Sequence, residues 1–287
     1  MISAPGIGSG LDVNSIVSQL VSAEGDTQTK LLARKQDGIK AEITAFGSLK
    51  SLLSTFQGST TTLKLPETFD ASLATSSDPT IFSATTTGAV VPGVFDIEVR
   101  NLATAHKLLS PGFADANTVI GDGILTISTG SSSFAVNIDS TNDTVTGVRD
   151  AINNATDNTG VSATVITVDD GTGNGTLSKL VLTSEKSGTG NALTVTVNDT
   201  VDGNNTDANG LSALYYDTSD ATSPEQLGQI TAAADAEVYV DGQKILSSAN
   251  TVVDAIQGVT LNLVARDVGV NHTLTISEDK ARVKSAV

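Results

Sequence analysis

Four apolar side chains, Leu32, Ile39, Phe46 and Leu53, recur every seven residues within residues 29–57, with Leu49 and Phe56 on the adjoining seam. This repeat constrains the fold more than any other feature, because a seven-residue period is the seam of one helix lying against another. The seam is imperfect: it also carries Lys35 and Glu42, and Gly38 and Gly47 each cost the helix about 1 kcal/mol relative to Ala. After Pro66 the chain turns to Thr, Val, Asn, Asp and Gly in two-residue alternation, and no comparably long amphipathic helix follows before Val287. The stripe therefore has no helical partner in this chain. It lies on a sheet, or its cover comes from another subunit or from sequence beyond these residues.

A shorter helical pattern precedes it. Between Leu11 and Glu24, Val13, Ile16, Val17, Leu20 and Val21 share one helix face, Asp12 is placed to cap that helix, and Gly25 is placed to end it. The β-rich part opens with residues 81–87 and 94–100, where Phe95, Ile97 and Val99 alternate with Asp96, Glu98 and Arg100. It closes with strands at 236–240, 259–264 and 270–276, and Asp241-Gly242 marks a tight type I′ hairpin because both central residues need positive φ.

The middle has another texture. Strands are expected at 124–128, 134–138, 161–168, 179–183 and 192–197, and a short helix over 144–154 presents Val145, Val148 and Ile152. Residues 198–225 are almost all Asp, Asn, Thr, Ser and Gly apart from Leu211, Leu214, Tyr215 and Tyr216, and are expected to form a long loop. An inserted domain accounts for this order: the strands of residues 68–105 and 236–287 pair, and the middle folds on its own.

Composition removes whole classes of function. A formal charge of -16 repels phosphate backbones and anionic lipid at long range, so no nucleic acid and no membrane insertion is expected. With no Cys and two His, thiolate chemistry and multi-histidine metal sites have nothing to build on. No ordinary secretory signal and no stretch of about 20 apolar residues is present. The glycine clusters at 6–10, 170–175 and 188–190 lack the strand-to-helix placement and the Lys of phosphate loops. Acidic loops at 169–176 and 199–207 miss the calcium-loop spacing, and read as solvated turns. His106 and His272 stand in no catalytic spacing and are expected to be ordinary exposed side chains, and a chain with 3% aromatic residues and no Trp is poorly equipped for a sugar cleft. No enzyme activity, catalytic residue, cofactor or metal is expected.

The segment at 6–24, GIGSGLDVNSIVSQLVSAE, resembles the N-terminal signature of flagellar filament cap proteins, the hook-associated protein 2 or FliD family. Residues 93–109, GVFDIEVRNLATAHKLL, are similar to that family's first head strand, residues 122–197 to the flagellin and hook-associated IN motif, and residues 236–265 to the return into the second head domain. The resemblance implies an α+β, mainly β protein: a long N-terminal helix, half of a coiled-coil leg, followed by two β-rich head domains, the outer inserted into the inner. It further implies a terminal export and docking segment at 1–28, a helical limb at 29–67, an inner head at 68–105 plus 236–287, and an outer head with the IN-like motif at 106–235. Leu32, Ile39, Phe46, Leu49, Leu53 and Phe56 would then form the leg and oligomer interface, and Leu11, Val13, Ile16, Val17, Leu20 and Val21 the docking helix.

The family's C-terminal helices, partners of that limb, are missing after Val287. The implied role is a homo-oligomeric, ring-shaped cap at the distal tip of the extracellular flagellum that lets exported flagellin fold and join the filament, with adhesion to host mucin as a further candidate role. Implied partners are flagellin, the hook-filament junction proteins and a flagellar export chaperone, with export by the flagellar type III apparatus and no cleaved signal. A flagellin-like or hook-filament junction protein, an extracellular adhesive β-domain protein and, more distantly, a polysaccharide enzyme stay open as alternatives.

Overall fold

A computed structural model describes residues 12–64, 71–173 and 175–285 of the chain. The helix α1 spans Val13–Leu63, 51 residues, or about 75 Å at 1.5 Å per residue. Asp12 caps it as expected: its carboxylate accepts the Ser15 N–H at 3.0 Å, and its carbonyl accepts the Ile16 N–H at 3.1 Å. The expected break at Gly25 does not occur, so the two expected helices are one. A glycine costs about 1 kcal/mol, while each added residue of a helix already nucleated contributes its own hydrogen bond. Beyond Gly25 the helix carries on through Thr27 and Thr29, whose hydroxyls donate to the Ala23 and Gly25 carbonyls.

The second unit, Asp70–Asp279, is β-rich and holds two apolar clusters. The inner one lies between two antiparallel sheets. The first has the order β1-β15-β3-β11-β12, from β1 (Ser72–Ser76), β3 (Gly93–Asn101), β11 (Ala236–Val240), β12 (Gln243–Ser247) and β15 (His272–Glu278). The second has the order β13-β14-β2, from β2 (Phe82–Thr86), β13 (Thr251–Ile256) and β14 (Val259–Leu263). Alternation puts Ile97 and Val99 of β3, Val238 of β11 and Leu274 of β15 on the inner face, against Phe82 and Leu261. The β11–β12 hairpin turns through Asp241 (φ 48) and Gly242 (φ 76), as Asp-Gly requires. The Asp241 carboxylate also accepts the Asp96 N–H at 2.9 Å, tying the turn to β3.

Between β3 and β11 the chain builds the outer body. One sheet has the order β10-β4-β8-β7, from β4 (Ala105–Leu109), β7 (Val161–Asp169), β8 (Thr176–Ser187) and β10 (Gly228–Thr231). The other has the order β6-β5-β9, from β5 (Gly123–Thr129), β6 (Ser132–Ile138) and β9 (Leu193–Asp199). The helix α2 (Val145–Asn154) buries Val145, Val148 and Ile152, and Thr144 caps it by accepting the Gly147 N–H at 3.0 Å. A six-residue helix, α3 (Lys280–Ser285), follows the second unit. The chain is thus α+β and mainly β: a long N-terminal helix, then two β-rich bodies with the outer inserted into the inner.

Two expectations in the outer body fail. Residues 198–225 are not loop throughout, because Leu211, Leu214, Tyr215 and Tyr216 are buried in the core. The cause is Asp199, whose buried carboxylate accepts the N–H groups of Val201 at 2.8 Å and Leu211 at 2.9 Å and folds the polar stretch back. Tyr216 then exchanges two backbone hydrogen bonds with Val195 of β9. Nor is His106 exposed: it is 3% accessible, and its Nδ1 accepts the Leu193 N–H at 2.8 Å. His272 is likewise mostly covered, with Nε2 3.0 Å from the Asp267 carboxylate.

Candidate assembly surface

The long helix presents the largest exposed apolar surface among the described residues. Leu32, Ile39, Phe46 and Leu53 are 69%, 57%, 70% and 65% exposed, and Leu49 and Phe56 are exposed beside them. Consecutive members of the stripe are separated by about 10 Å along the axis, so the row is about 30 Å long. Val13, Ile16, Val17, Leu20 and Val21 are exposed as well; Leu11, placed with them from the sequence, lies outside the described residues.

At about 100° per residue, both groups fall within one half of the helix circumference. Because Gly25 does not end α1, they form one face rather than two. Ile43, Leu31 and Leu52 are also exposed, and the seven-residue count passed over them. Counting with the 3.6-residue turn would have found Ile43 beside Ile39 and Leu32.

Electrostatics favour this helix over the rest of the chain for self-association. Residues 12–64 carry five acidic and six basic side chains and are nearly neutral. Residues 106–235, by contrast, hold sixteen acidic and four basic side chains. Copies brought together through the outer body meet strong repulsion, whereas copies brought together through α1 do not. Burying six large side chains is worth about 10 kcal/mol of transfer free energy, the same order as the cost of bringing two copies together.

Among the described residues no group of three or more His, Cys, Asp and Glu side chains is placed to hold a metal ion. The acidic turns spend their carboxylates on their own backbone: Asp170 accepts from Thr172 N–H and hydroxyl, and Asp202 from the Asn204 N–H. Those contacts hold the Asp170 carboxyl below the usual carboxylate range, the Thr172 hydroxyl contributing most. Residues 170–173 and 175 lie between β7 and β8 and residues 188–190 between β8 and β9, while residues 6–10 and 174 lie outside the described residues. No helix among the described residues is long and apolar enough to cross a membrane.

Comparison with known proteins agrees with this architecture. Residues 9–106 match the family model described as flagellar hook-associated protein 2 N-terminus, and residues 233–287 match the one described as flagellar hook-associated protein 2 C-terminus. Residues 125–186, inside the outer body, match the flagellin hook IN motif. The B-type flagellar hook-associated protein 2 of Pseudomonas aeruginosa is 39% identical over 98% of this chain and 59% of its own length. That of Escherichia coli K12 is 38% identical over 88% of this chain and 51% of its own length. The chain thus spans between half and three fifths of these relatives.

Among solved structures, the D1-D2-D3 domains of the flagellar cap protein FliD from Escherichia coli superpose with a TM-score of 0.69, at 35% identity over 85% of this chain and 65% of that one. The D2-D3 domains of the same protein give 0.61 over 73% of this chain and 100% of that one, again at 35% identity.

Proposed function

Because the chain belongs to the flagellar hook-associated protein 2 family, we propose that it works in a cap at the distal end of the bacterial flagellar filament, where it promotes insertion and polymerisation of exported flagellin. The supporting observation is the exposed apolar face of α1, which gives a protein with acidic β-rich bodies one nearly neutral surface for assembly. In this reading Leu32, Ile39, Phe46, Leu49, Leu53 and Phe56 pack in the leg and between copies, and Leu11, Val13, Ile16, Val17, Leu20 and Val21 dock the terminal segment. Residues 1–28 are the terminal export and docking segment, 29–67 the limb, 68–105 with 236–287 the inner head, and 106–235 the outer head.

The proposed role needs binding and confinement, with no chemical step. Filament growth is downhill once a subunit is folded and seated, so a cap acts by holding subunits and exposing one vacant site at a time. Its partners are then other copies in a ring, flagellin, the hook-filament junction proteins and an export chaperone. Its route is the flagellar type III apparatus without cleavage of a signal.

Adhesion to host mucin would fall to the outer body. Its excess of acidic side chains repels anionic sugar chains at long range, so such adhesion would rest on short-range contacts with uncharged sugars. The cap role is tested by deleting the gene: short or absent filaments with flagellin free in the medium are expected, and long filaments with little free flagellin contradict it. The IN match favours a second reading, a protein of the filament or hook-filament junction. Gold-labelled protein along filaments or at their base, rather than at tips, would select that one.

A further inference from the structure

The two apolar clusters of Asp70–Asp279 share no residue, and the chain passes between the inner and outer bodies only twice, at 102–104 and 232–235. The two passages pair with each other. Thr104 N–H donates to the Ala234 carbonyl at 2.9 Å, Ala234 N–H returns to Thr104 at 3.3 Å, and the Thr104 hydroxyl donates to the Ala232 carbonyl at 2.7 Å. A two-stranded ribbon of this kind resists stretching but bends across its flat face, so on its own it makes a hinge.

A third contact lies off the ribbon. The outer body's turn between β8 and β9 reaches the inner side of the neck. One Asp235 carboxylate oxygen accepts the Thr189 N–H at 2.8 Å, and the other accepts the Thr189 hydroxyl at 2.7 Å. The Ser187 hydroxyl donates to the Ser248 carbonyl at 2.7 Å, and the Gly188 N–H donates to the Thr104 carbonyl at 3.2 Å.

Gly188 is required for this seating: its φ is 98°, and a Cβ there would stand 2.6 Å from the Ser248 Cβ and 2.9 Å from an Asp235 carboxylate oxygen. Asp235 is itself anchored, its carbonyl accepting from the Asn101 side chain of β3 at 3.1 Å. The other passage is anchored too, since the Asn250 side chain bonds both the N–H (2.7 Å) and the carbonyl (3.0 Å) of Ala103.

We propose that the clasp of Asp235 on Thr189 is a pin that holds the outer body at one angle to the inner body, and that its release turns the neck into a hinge. Two passages define an axis, and the turn between β8 and β9, held by Asp235 at the end of one passage and by Ser248 beyond it, is the support that limits rotation about that axis. Charge-assisted bonds from one carboxylate to a backbone N–H and a hydroxyl suit a fastening that is firm when closed and reversible without unfolding either core.

The chain has no cysteine, so paired spin labels at the exposed Ser133 of the outer body and Ser277 of the inner body report the angle in the full chain. One narrow distance population is expected for the parent, and about a twofold broadening for Asp235→Ala with amide-exchange protection of both cores unchanged. Asp235→Asn, which keeps an acceptor oxygen for the Thr189 N–H, should stay narrow. Gly188→Ala should broaden the distribution with Asp235 intact, and it carries the test if Asp235→Ala loses core protection. A parent as broad as the variants, or variants as narrow as the parent, would overturn the proposal.

Discussion

His106 is a titratable group buried in an apolar core, and folding therefore responds to its protonation. Its Nδ1 accepts the Leu193 N–H, the ring lies 5.6 Å from that of Tyr216, and Gln229 hydrogen-bonds it from β10. Glu185 and Lys186 of the adjoining β8 are exposed and point to solvent. Burial lowers its pKa from the usual 6.5, and the Gln229 bond opposes that only in part. The unfolded chain therefore binds a proton here at higher pH than the folded chain does. The stability His106 contributes is complete above about pH 6.5 and is lost as pH falls below it.

The protection of the Leu193 amide, corrected for intrinsic exchange, should fall as the pH drops below about 6.5. His106→Gln, neutral throughout, should flatten that slope; an equal slope in the variant contradicts the assignment. Glu98 loses its contribution in a lower window. The Arg100 guanidinium, then the Gly269 N–H, hold its carboxyl below the usual 4.5, so what it contributes disappears as pH falls through that lowered value. None of this was legible in the sequence. A histidine within ATAHKLL carries no sign of the strand that will meet it from residue 193.

At the scale of the element, what could be read depended on whether the signal was local. The Asp241-Gly242 hairpin, the Asp12 cap and the α2 face follow from residues a few positions apart, and the structure has all three. The burial of Leu211 to Tyr216 depends on a carboxylate twelve positions upstream, so composition alone gave the wrong answer. Gly25 misled for a different reason: it lowers helix stability without being able to stop a long helix. A Cβ at Gly25 meets nothing within 4 Å, so Gly25→Ala should raise α1 stability by about 1 kcal/mol and its helical circular dichroism. A decrease in either would mean that the glycine is needed for a bend.

The stripe makes a second prediction at this scale. Ile39→Glu with Phe46→Glu should abolish self-association in sedimentation while leaving denaturant unfolding of the β-rich unit within about 0.5 kcal/mol. Loss of β-unit stability in that variant would show that the helix face supports the heads instead.

At the scale of the molecule, charge and apolar surface are segregated. The acidic excess is concentrated in the outer body, and the exposed apolar face lies on a nearly neutral helix. The order of the parts was legible because the hydrophobic period switches from helical to strand-like near Pro66, and because the strands flanking the middle need each other. The two apolar clusters, one in each body, agree with the expected insertion, whereas the long-range partners that meet within each cluster are set by packing that no local pattern records.

The β-rich unit, residues 71–279, should fold without α1 and give the same melting transition as the full chain within a few degrees, as two compact units predict. A loss of cooperative melting would make helix and heads one folding unit.

The most direct measurement is thiol labelling at single cysteines placed in this cysteine-free chain, compared between the free protein and the protein assembled on filaments. Phe46→Cys, on the apolar face, should react freely in the dilute chain and be protected by tenfold or more on assembly, whereas Ser51→Cys, on the opposite side of α1, should change far less. Equal reactivity at position 46 in both states would contradict the claim that this face is what assembly covers.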